Sequence, residues 1–235
     1  MKRGTGKIRL WAAFLIIAAA VLISGSRELR MKAARQAAGE GMLRLVAETR
    51  EHPVVALTFD DGPSKKYTPV LLEGLRERHV VASFFLMGKN IPGNEELLKQ
   101  MQMDGHLLGN HTYNHVQLDK VTVEKAREEI EKTSNAIYRV TGCYPVYIRP
   151  PFGAWRKDLD LAVTMFPVFW DVDTLDWKSK NVASVLSIVE KNVGDGKIIL
   201  MHDGYETSVE AALKIVDMLT EKGYEFVTVD RLLLL

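Results

Sequence analysis

The chain has 235 residues, of which 47% are hydrophobic and 26% are charged, and its formal net charge at neutral pH is +1. This composition is typical of a globular protein, and the length suffices for one domain of α/β-barrel size. The near-neutral charge, without a basic stripe, argues against nucleic acid as a partner. Because Cys143 is the single cysteine, the chain has neither an internal disulfide nor a cysteine-based metal site.

The first 26 residues have the pattern of an export signal. Four basic residues and no acidic residue precede an uncharged run from Leu10 to Ser26. Its apolar part, residues 10–25, is near the lower length limit for crossing a bilayer, and residues 23–26 form a mediocre cleavage site. We expect an uncleaved membrane anchor with the remaining chain outside the cytoplasm, and a cleaved signal peptide is the alternative.

Residues 27–52 differ in composition from the chain on either side. Arg, Lys, Glu and Ala dominate, and Gly39 and Gly41 interrupt them. These strong helix formers predict a partly helical stalk, which we interpret as a solvated linker. A folded domain is predicted over residues 53–235.

After Pro53, short β-rich runs alternate with helical runs. The predicted strands are Val54–Phe59, Val80–Met87, His106–Asn110, Tyr147–Arg149, Val168–Asp171, Ile198–Met201 and Phe226–Val229. The predicted helices are Pro69–Arg78, Asn94–Met103, Val121–Val140, Ala183–Lys191 and Val209–Glu221. This alternation predicts a parallel sheet with crossover helices, either doubly wound or closed into a barrel, and periodicity alone does not separate the two.

Two adjacent carboxylates, Asp60 and Asp61, end the first predicted strand and precede Gly62-Pro63. The carboxyl ends of strands are where α/β proteins place their chemistry. Neighbouring residues of a strand point in opposite directions, but a turn can let both acids serve one site in different roles. The alternative is a surface turn that begins with Asp.

A pair of histidines, His111 and His115, follows the predicted strand His106–Asn110. Residues four apart share a face if they form a helical turn, and this spacing suits a tetrahedral metal. Asp61 could complete a set of two histidines and one carboxylate whose open positions suit a catalytic metal. The alternative is two ordinary surface or core histidines.

Three further polar clusters follow predicted strands. Arg149 precedes two prolines, which rigidify its loop. Residues 173–177 contain acids and a tryptophan. His202 ends an apolar run. Each cluster alone is compatible with an ordinary turn. Five such clusters at strand ends indicate a common site.

In chain order, the motifs resemble those of a known family. They are T-F-D-D-G-P at Thr58–Pro63, H-T-x-x-H at His111–His115, R-P-P-F-G at Arg149–Gly153, D-x-x-D-W at Asp173–Trp177 and L-x-H at Leu200–His202. They resemble the five motifs of the polysaccharide deacetylases, the NodB-homology domains of carbohydrate esterase family 4. The resemblance covers residues 53–235. It implies a distorted (β/α) barrel of about seven parallel strands and a metal-dependent hydrolase that removes acetyl groups from N-acetylated sugars.

The resemblance also implies a role for each motif residue. Asp61, His111 and His115 would be the ligands of a divalent metal. Zinc is the first choice, and Co²⁺, Mn²⁺ or Ni²⁺ are alternatives. Asp60 would be the general base, with Arg149 as its ion-pair partner. His202 would be the general acid, and Asp176 would be the carboxylate that orients it. The substrate pocket would be lined by Phe152, Trp177 and Leu200.

One position departs from the family pattern, because many members have Tyr where this chain has Phe152. The family uses the backbone N–H of this residue as an oxyanion donor, which Phe still supplies. We therefore expect the missing hydroxyl to affect sugar binding rather than catalysis. Trp155 and Tyr205 are further candidates for stacking on sugar rings, with a buried structural role as the alternative for Trp155.

For function, the resemblance favours an extracytoplasmic monomer that deacetylates N-acetylglucosamine residues of a polysaccharide partner, peptidoglycan first. Chitin oligosaccharides, N-acetylmuramic acid residues and acetylxylan are the alternative substrates. A catalytically silent cell-wall-binding protein is the non-enzyme alternative. It is disfavoured because the implied ligands, base and acid are all present.

Overall fold

The computed structural model describes residues 51–161 and 164–235. The predicted anchor at residues 1–26, and the predicted stalk up to residue 50, lie outside this part of the chain. Among the helices of the described ranges, none combines the length and the apolar character that crossing a bilayer requires.

Within the described residues, eight strands form one parallel sheet. They are Val54–Asp60 (β1), Ser83–Leu86 (β2), Leu107–Asn110 (β3), Tyr147–Ile148 (β4), Phe166–Pro167 (β5), Val172–Asp173 (β6), Lys197–His202 (β7) and Glu225–Phe226 (β8). Seven of them follow the order β5-β4-β3-β2-β1-β7-β6, and β8 pairs with the beginning of β1. Since β5 and β6 end this order, the sheet is a half-barrel, and the predicted parallel α/β architecture is confirmed.

Helices connect the strands. They are Thr68–Glu77 (α1), Glu95–Met103 (α2), Val123–Thr141 (α3), Asp176–Ser179 (α4), Val182–Asn192 (α5), Glu206–Glu221 (α6) and Val229–Leu232 (α7), with 3₁₀ turns at Gly88–Asn90, Leu118–Lys120 and Pro151–Gly153. The longest helix, α3, is capped at both ends. The Thr122 side chain accepts a hydrogen bond from the Lys125 N–H, and Gly142 ends the helix with a φ of 73°, a left-handed conformation that glycine adopts readily.

The strand β1 is buried on both faces. Its Val55, Leu57 and Phe59 side chains belong to the large apolar cluster that includes residues of α1 and α6. Ala56 belongs to a smaller cluster with Phe85, Val168, Ile198 and Val229. Because side chains alternate along a strand, Thr58 and Asp60 lie on the same face as Ala56.

Three predicted strands depart from the observed ones by more than one residue at an end. The predicted strand Val80–Met87 is shortened to Ser83–Leu86. Residues 168–171 are not a strand but connect β5 to β6, and the Val168 and Phe169 carbonyls accept hydrogen bonds from the buried Arg149 guanidinium. The last predicted strand ends at Phe226, and Val229 instead begins α7, with its N–H donating to the Ser83 hydroxyl.

Candidate active site

Three potential metal ligands converge beyond the carboxyl ends of β1 and β3. The ligand atoms of Asp61, His111 and His115 all lie within 4.8 Å of one another. Asp61 Oδ1 is 3.4 Å from His111 Nε2 and 3.5 Å from His115 Nε2. The structure thus brings together the three residues that the sequence suggested as ligands.

The two histidines are joined by a loop rather than by a helical turn. Thr112 and His115 have left-handed backbone conformations, with φ of 60° and 61°. Glu129 of α3 holds the loop between them, since its carboxylate accepts hydrogen bonds from the Asn114 N–H at 2.7 Å and the Asn114 side-chain amide at 2.9 Å. The two imidazoles thus lie together without a helical turn, with ring centroids 4.9 Å apart.

This ligand set fits a divalent metal. Asp61 Oδ1 is buried and has no hydrogen-bond partner among the described residues, and such an oxygen is costly unless a cation satisfies it. His111 Nδ1 lies 2.6 Å from the Arg149 carbonyl oxygen. Because a carbonyl can only accept, Nδ1 carries the proton and Nε2 offers a lone pair toward Asp61. Two imidazoles and one carboxylate with open positions suit a catalytic transition metal.

The protonation states also fit. Burial raises the pKa of Asp61, but the neighbouring imidazoles, His111 first, outweigh it and lower this pKa to about 2. Burial, together with the charge of His111, lowers the pKa of His115. At neutral pH the carboxylate is anionic and the imidazole of His115 is neutral, which are the forms that bind a metal.

Behind the ligands lies a buried ion pair. Arg149 Nη1 is 2.9 Å from Asp60 Oδ1, and the arginine is 0% exposed. The same Nη1 donates to the Thr58 hydroxyl at 2.6 Å, and the guanidinium lies 4.3 Å from the centre of the Phe85 ring. The other carboxylate oxygen, Asp60 Oδ2, is 3.8 Å from His111 Nε2. Arg149 therefore orients Asp60 toward the ligand cluster.

A second charged pair lies across the site. His202 Nδ1 donates to Asp176 Oδ1 at 2.9 Å, and the His202 backbone N–H donates to Asp176 Oδ2 at 2.9 Å. Burial lowers the pKa of His202, but the hydrogen bond and charge of Asp176 outweigh it, so that the net shift is upward. The pair thus favours the imidazolium form, and Nε2 has no hydrogen-bond partner in the described part of the chain.

A cavity of about 430 Å³ joins these groups. Predicted site residues that line it are Asp60, Asp61, His111, His115, Phe152, Trp177, Leu200 and His202. Arg149 and Asp176 lie behind Asp60 and His202 rather than on the cavity wall. The rim is aromatic, since Phe152 is 66% exposed and Trp177 is 46% exposed.

Some residues near the site had no predicted role or a different one. Trp170 lines the cavity without having been predicted, and Tyr205, predicted as a stacking residue, lines it too. Trp155 does not line it and packs against the apolar cluster of Leu118 and Ile130. Thr58 was also missed, although its alternation with Asp60 along β1 places both on one face.

Comparison with known proteins agrees with this geometry. The sequence profile of the family described as polysaccharide deacetylase matches residues 47–167. Peptidoglycan-N-acetylglucosamine deacetylase PgdA of Listeria monocytogenes is 37% identical over 187 residues, which are 80% of this chain and 40% of the relative. Peptidoglycan-N-acetylmuramic acid deacetylase PdaC of Bacillus subtilis is 38% identical over 179 residues, which are 76% of this chain and 38% of the relative. The chain therefore spans about two fifths of the length of these curated relatives.

Solved structures show the same fold. The structure of peptidoglycan deacetylase PdaC from Bacillus subtilis superposes with a TM-score of 0.75 at 37% identity, over 77% of this chain and 90% of that chain. BA3943 of Bacillus anthracis, described as a CE4 family pseudoenzyme, superposes with a TM-score of 0.70 at 28% identity, over 78% of this chain and 66% of that chain. With a profile match over more than half of its length, the chain belongs to the polysaccharide deacetylase family.

Proposed function

We propose that this chain is a metal-dependent amide hydrolase that removes acetyl groups from N-acetylglucosamine residues of peptidoglycan outside the cytoplasm. Its catalytic domain would be residues 53–235, tethered by the N-terminal segment. The proposal rests on one cavity that is lined by the metal-ligand set and by Asp60 and His202. Behind the wall, Asp60 pairs with the cation Arg149 and His202 pairs with the anion Asp176.

Amide hydrolysis needs an activated water, a stabilised oxyanion and a proton for the departing amine. A zinc ion held by Asp61, His111 and His115 would polarise the acetyl carbonyl and lower the pKa of a water molecule. The protein supplies the remaining groups. We assign the backbone N–H of Phe152, at the cavity rim, as a second donor to the oxyanion.

Asp60 is the proposed general base. Its ion pair with the buried Arg149 stabilises the carboxylate form, and this form can accept a proton from the attacking water. The Arg149 guanidinium cannot move away, because it also donates to Thr58 and to the Phe169 carbonyl. The base is thus correctly oriented before substrate binds.

His202 is the proposed general acid. Asp176 raises its pKa and fixes the imidazole through Nδ1, so that Nε2–H can donate to the nitrogen of the broken amide. Base and acid thus have separate buried partners of opposite charge. Leu200 and Trp177 complete the cavity and offer apolar surface to the acetyl methyl group.

N-acetylmuramic acid is a second candidate substrate, because PdaC matches this chain as closely as PgdA does. Chitin oligosaccharides and acetylxylan remain further alternatives. A silent binding protein like the pseudoenzyme BA3943 is disfavoured, since the proposed ligands, base and acid of this chain surround one cavity.

The test is direct. The purified protein is loaded with zinc and incubated separately with peptidoglycan, with a comparison peptidoglycan whose muramic acid residues carry no N-acetyl group, and with chitin oligosaccharides. Released acetate and new free amines are then measured. We expect both products in equal amounts with peptidoglycan, and at least about 100-fold less of both with Asp60→Asn. Absence of acetate from every glycan, with zinc bound at one equivalent, would contradict the proposal and support a binding role.

A further inference from the structure

Asp203 is a buried carboxyl group that the proposed mechanism does not use. It directly follows His202 at the end of β7 and is fully buried. Its side chain packs against Gly62, the residue after the ligand Asp61. A Cβ added to Gly62 would lie 2.5 Å from Asp203 Oδ2 and 2.7 Å from Oδ1, which is closer than real Cβ contacts. The carboxyl group therefore occupies the space where residue 62 would carry a side chain.

A hydroxyl links Asp203 to the same loop by a second route. The Thr68 hydroxyl, in the first turn of α1, donates to Asp203 Oδ2 and accepts from the Ser64 N–H at 2.7 Å. The other side of the loop is held by β2, since the N–H of Met87 donates to the Gly62 carbonyl at 3.0 Å. Residues 61–64 are thus fixed between β7, α1 and the end of β2.

Stability alone does not explain a carboxyl group at this position. Asp203 Oδ1 has no hydrogen-bond partner among the described residues, and a buried polar atom without a partner is costly. Burial raises the pKa of Asp203 to about 6. An apolar side chain would avoid this cost, so the contacts of the carboxyl group with the Thr68 hydroxyl and with Gly62 indicate a positional role.

We propose that Asp203 is a positioning residue, which fixes the Asp61 loop against the end of β7 and thereby sets the metal affinity of the site. The proposal rests on the proposed function only in taking Asp61 as a metal ligand. It also explains how the end of the strand that carries His202 and the loop that carries Asp61 keep their relative position.

The experiment measures zinc affinity of the metal-stripped protein by competition calorimetry, with far-UV circular dichroism as the check on folding. Because loss of a residue that supports a ligand typically costs 10–100-fold in metal affinity, Asp203→Ala should weaken zinc binding by about tenfold or more. Asp203→Asn should restore most of it, since its amide oxygen can accept from Thr68. Asp171→Ala is the matched control, because Asp171 contacts the opposite end of β7 and its loss should leave zinc affinity unchanged.

A folded Asp203→Ala protein with the zinc affinity of the wild type would overturn the proposal. If this variant does not fold, the near-isosteric Thr68→Val decides, because it removes the hydroxyl link and keeps Asp203. It should weaken zinc binding by at least about threefold, within the range of measured coupling between contacting residues, and an unchanged affinity would overturn the proposal. If the variants lose zinc affinity but the wild type deacetylates no glycan, the proposed function is contradicted and the positioning role of Asp203 is still supported.

Discussion

Asp60 and His202 are register partners at the carboxyl ends of the adjacent strands β1 and β7. Their side chains border the same cavity, but Asp60 pairs with a buried guanidinium and His202 with a buried carboxylate. Burial lowers the pKa of His202, but Asp176 outweighs it and raises this pKa, and Arg149 orients Asp60. This arrangement explains how a base and an acid can coexist in one site, and it predicts how each will fail when its partner is removed.

Asp176→Asn should change the pH dependence of turnover. The carboxylate raises the pKa of His202, and the acid is active while protonated, so activity declines as pH rises through this pKa. Without the charge, the pKa falls and the alkaline limb of the profile of kcat/KM against pH should move to lower pH. The loss in kcat should be about 100-fold or more, the lower range for a general acid. An unchanged alkaline limb would show that another group donates the proton.

The two adjacent aspartates should fail in different ways. Asp60→Asn should lower turnover by about 100-fold or more and leave zinc bound, because Asp60 acts on water. Asp61→Asn should instead lose zinc affinity, since Asp61 Oδ1 faces both imidazoles. Calorimetric zinc titration and acetate release, measured on both variants, separate the effects. Equal loss of zinc in both variants would reverse the assignment.

The parts of this site that could be predicted from the sequence follow local rules. The apolar run of β1 ends in Asp60, and the alternation of parallel strands puts the ends of β1, β3 and β7 at one edge. The missed parts depend on contacts between distant residues. Glu129 holds the loop between His111 and His115, and the Val168 and Phe169 carbonyls in the connection between β5 and β6 bind Arg149. Neither contact can be predicted from the residues that lie near it in the sequence.

Arg149→Met should destabilise the fold as well as abolish activity. The variant leaves the buried Asp60 carboxylate without its cation, and breaking a buried pair in this way costs about 3–5 kcal/mol. Urea unfolding followed by circular dichroism measures the change in the free energy of unfolding. The control is Lys214→Met, which breaks an exposed pair with Glu210 and should change stability by less than about 0.5 kcal/mol. Similar losses in the two variants would contradict the energetic role of the buried pair.

Phe152→Tyr should alter substrate affinity without altering the chemical step. The ring is 66% exposed at the cavity rim and stacks edge-on to His115 with centroids 4.8 Å apart, so an added hydroxyl has room in solvent. The backbone N–H at position 152 is retained. We expect kcat to stay within about twofold and KM for glycan to change, which is the signature of altered ground-state binding. A large change in kcat at constant KM would place the side chain in the reaction itself.

Zinc should stabilise the protein as well as activate it. Asp61 Oδ1 is buried and has no hydrogen-bond partner within residues 51–161 and 164–235, and a bound cation would satisfy it only in the folded state. A ligand that binds the native state alone, at 100 times its Kd, adds about 2.7 kcal/mol to the free energy of unfolding. Chelation should therefore abolish acetate release and lower Tm, and added zinc should reverse both effects.

His115→Ala removes one ligand from a loop at the surface of the cavity. Its Tm without metal should stay close to that of the metal-stripped wild type, and the rise in Tm on adding zinc should be smaller than in the wild type. A full rise in Tm in this variant, or full activity in chelated wild-type protein, would show that the metal does not bind between these three residues.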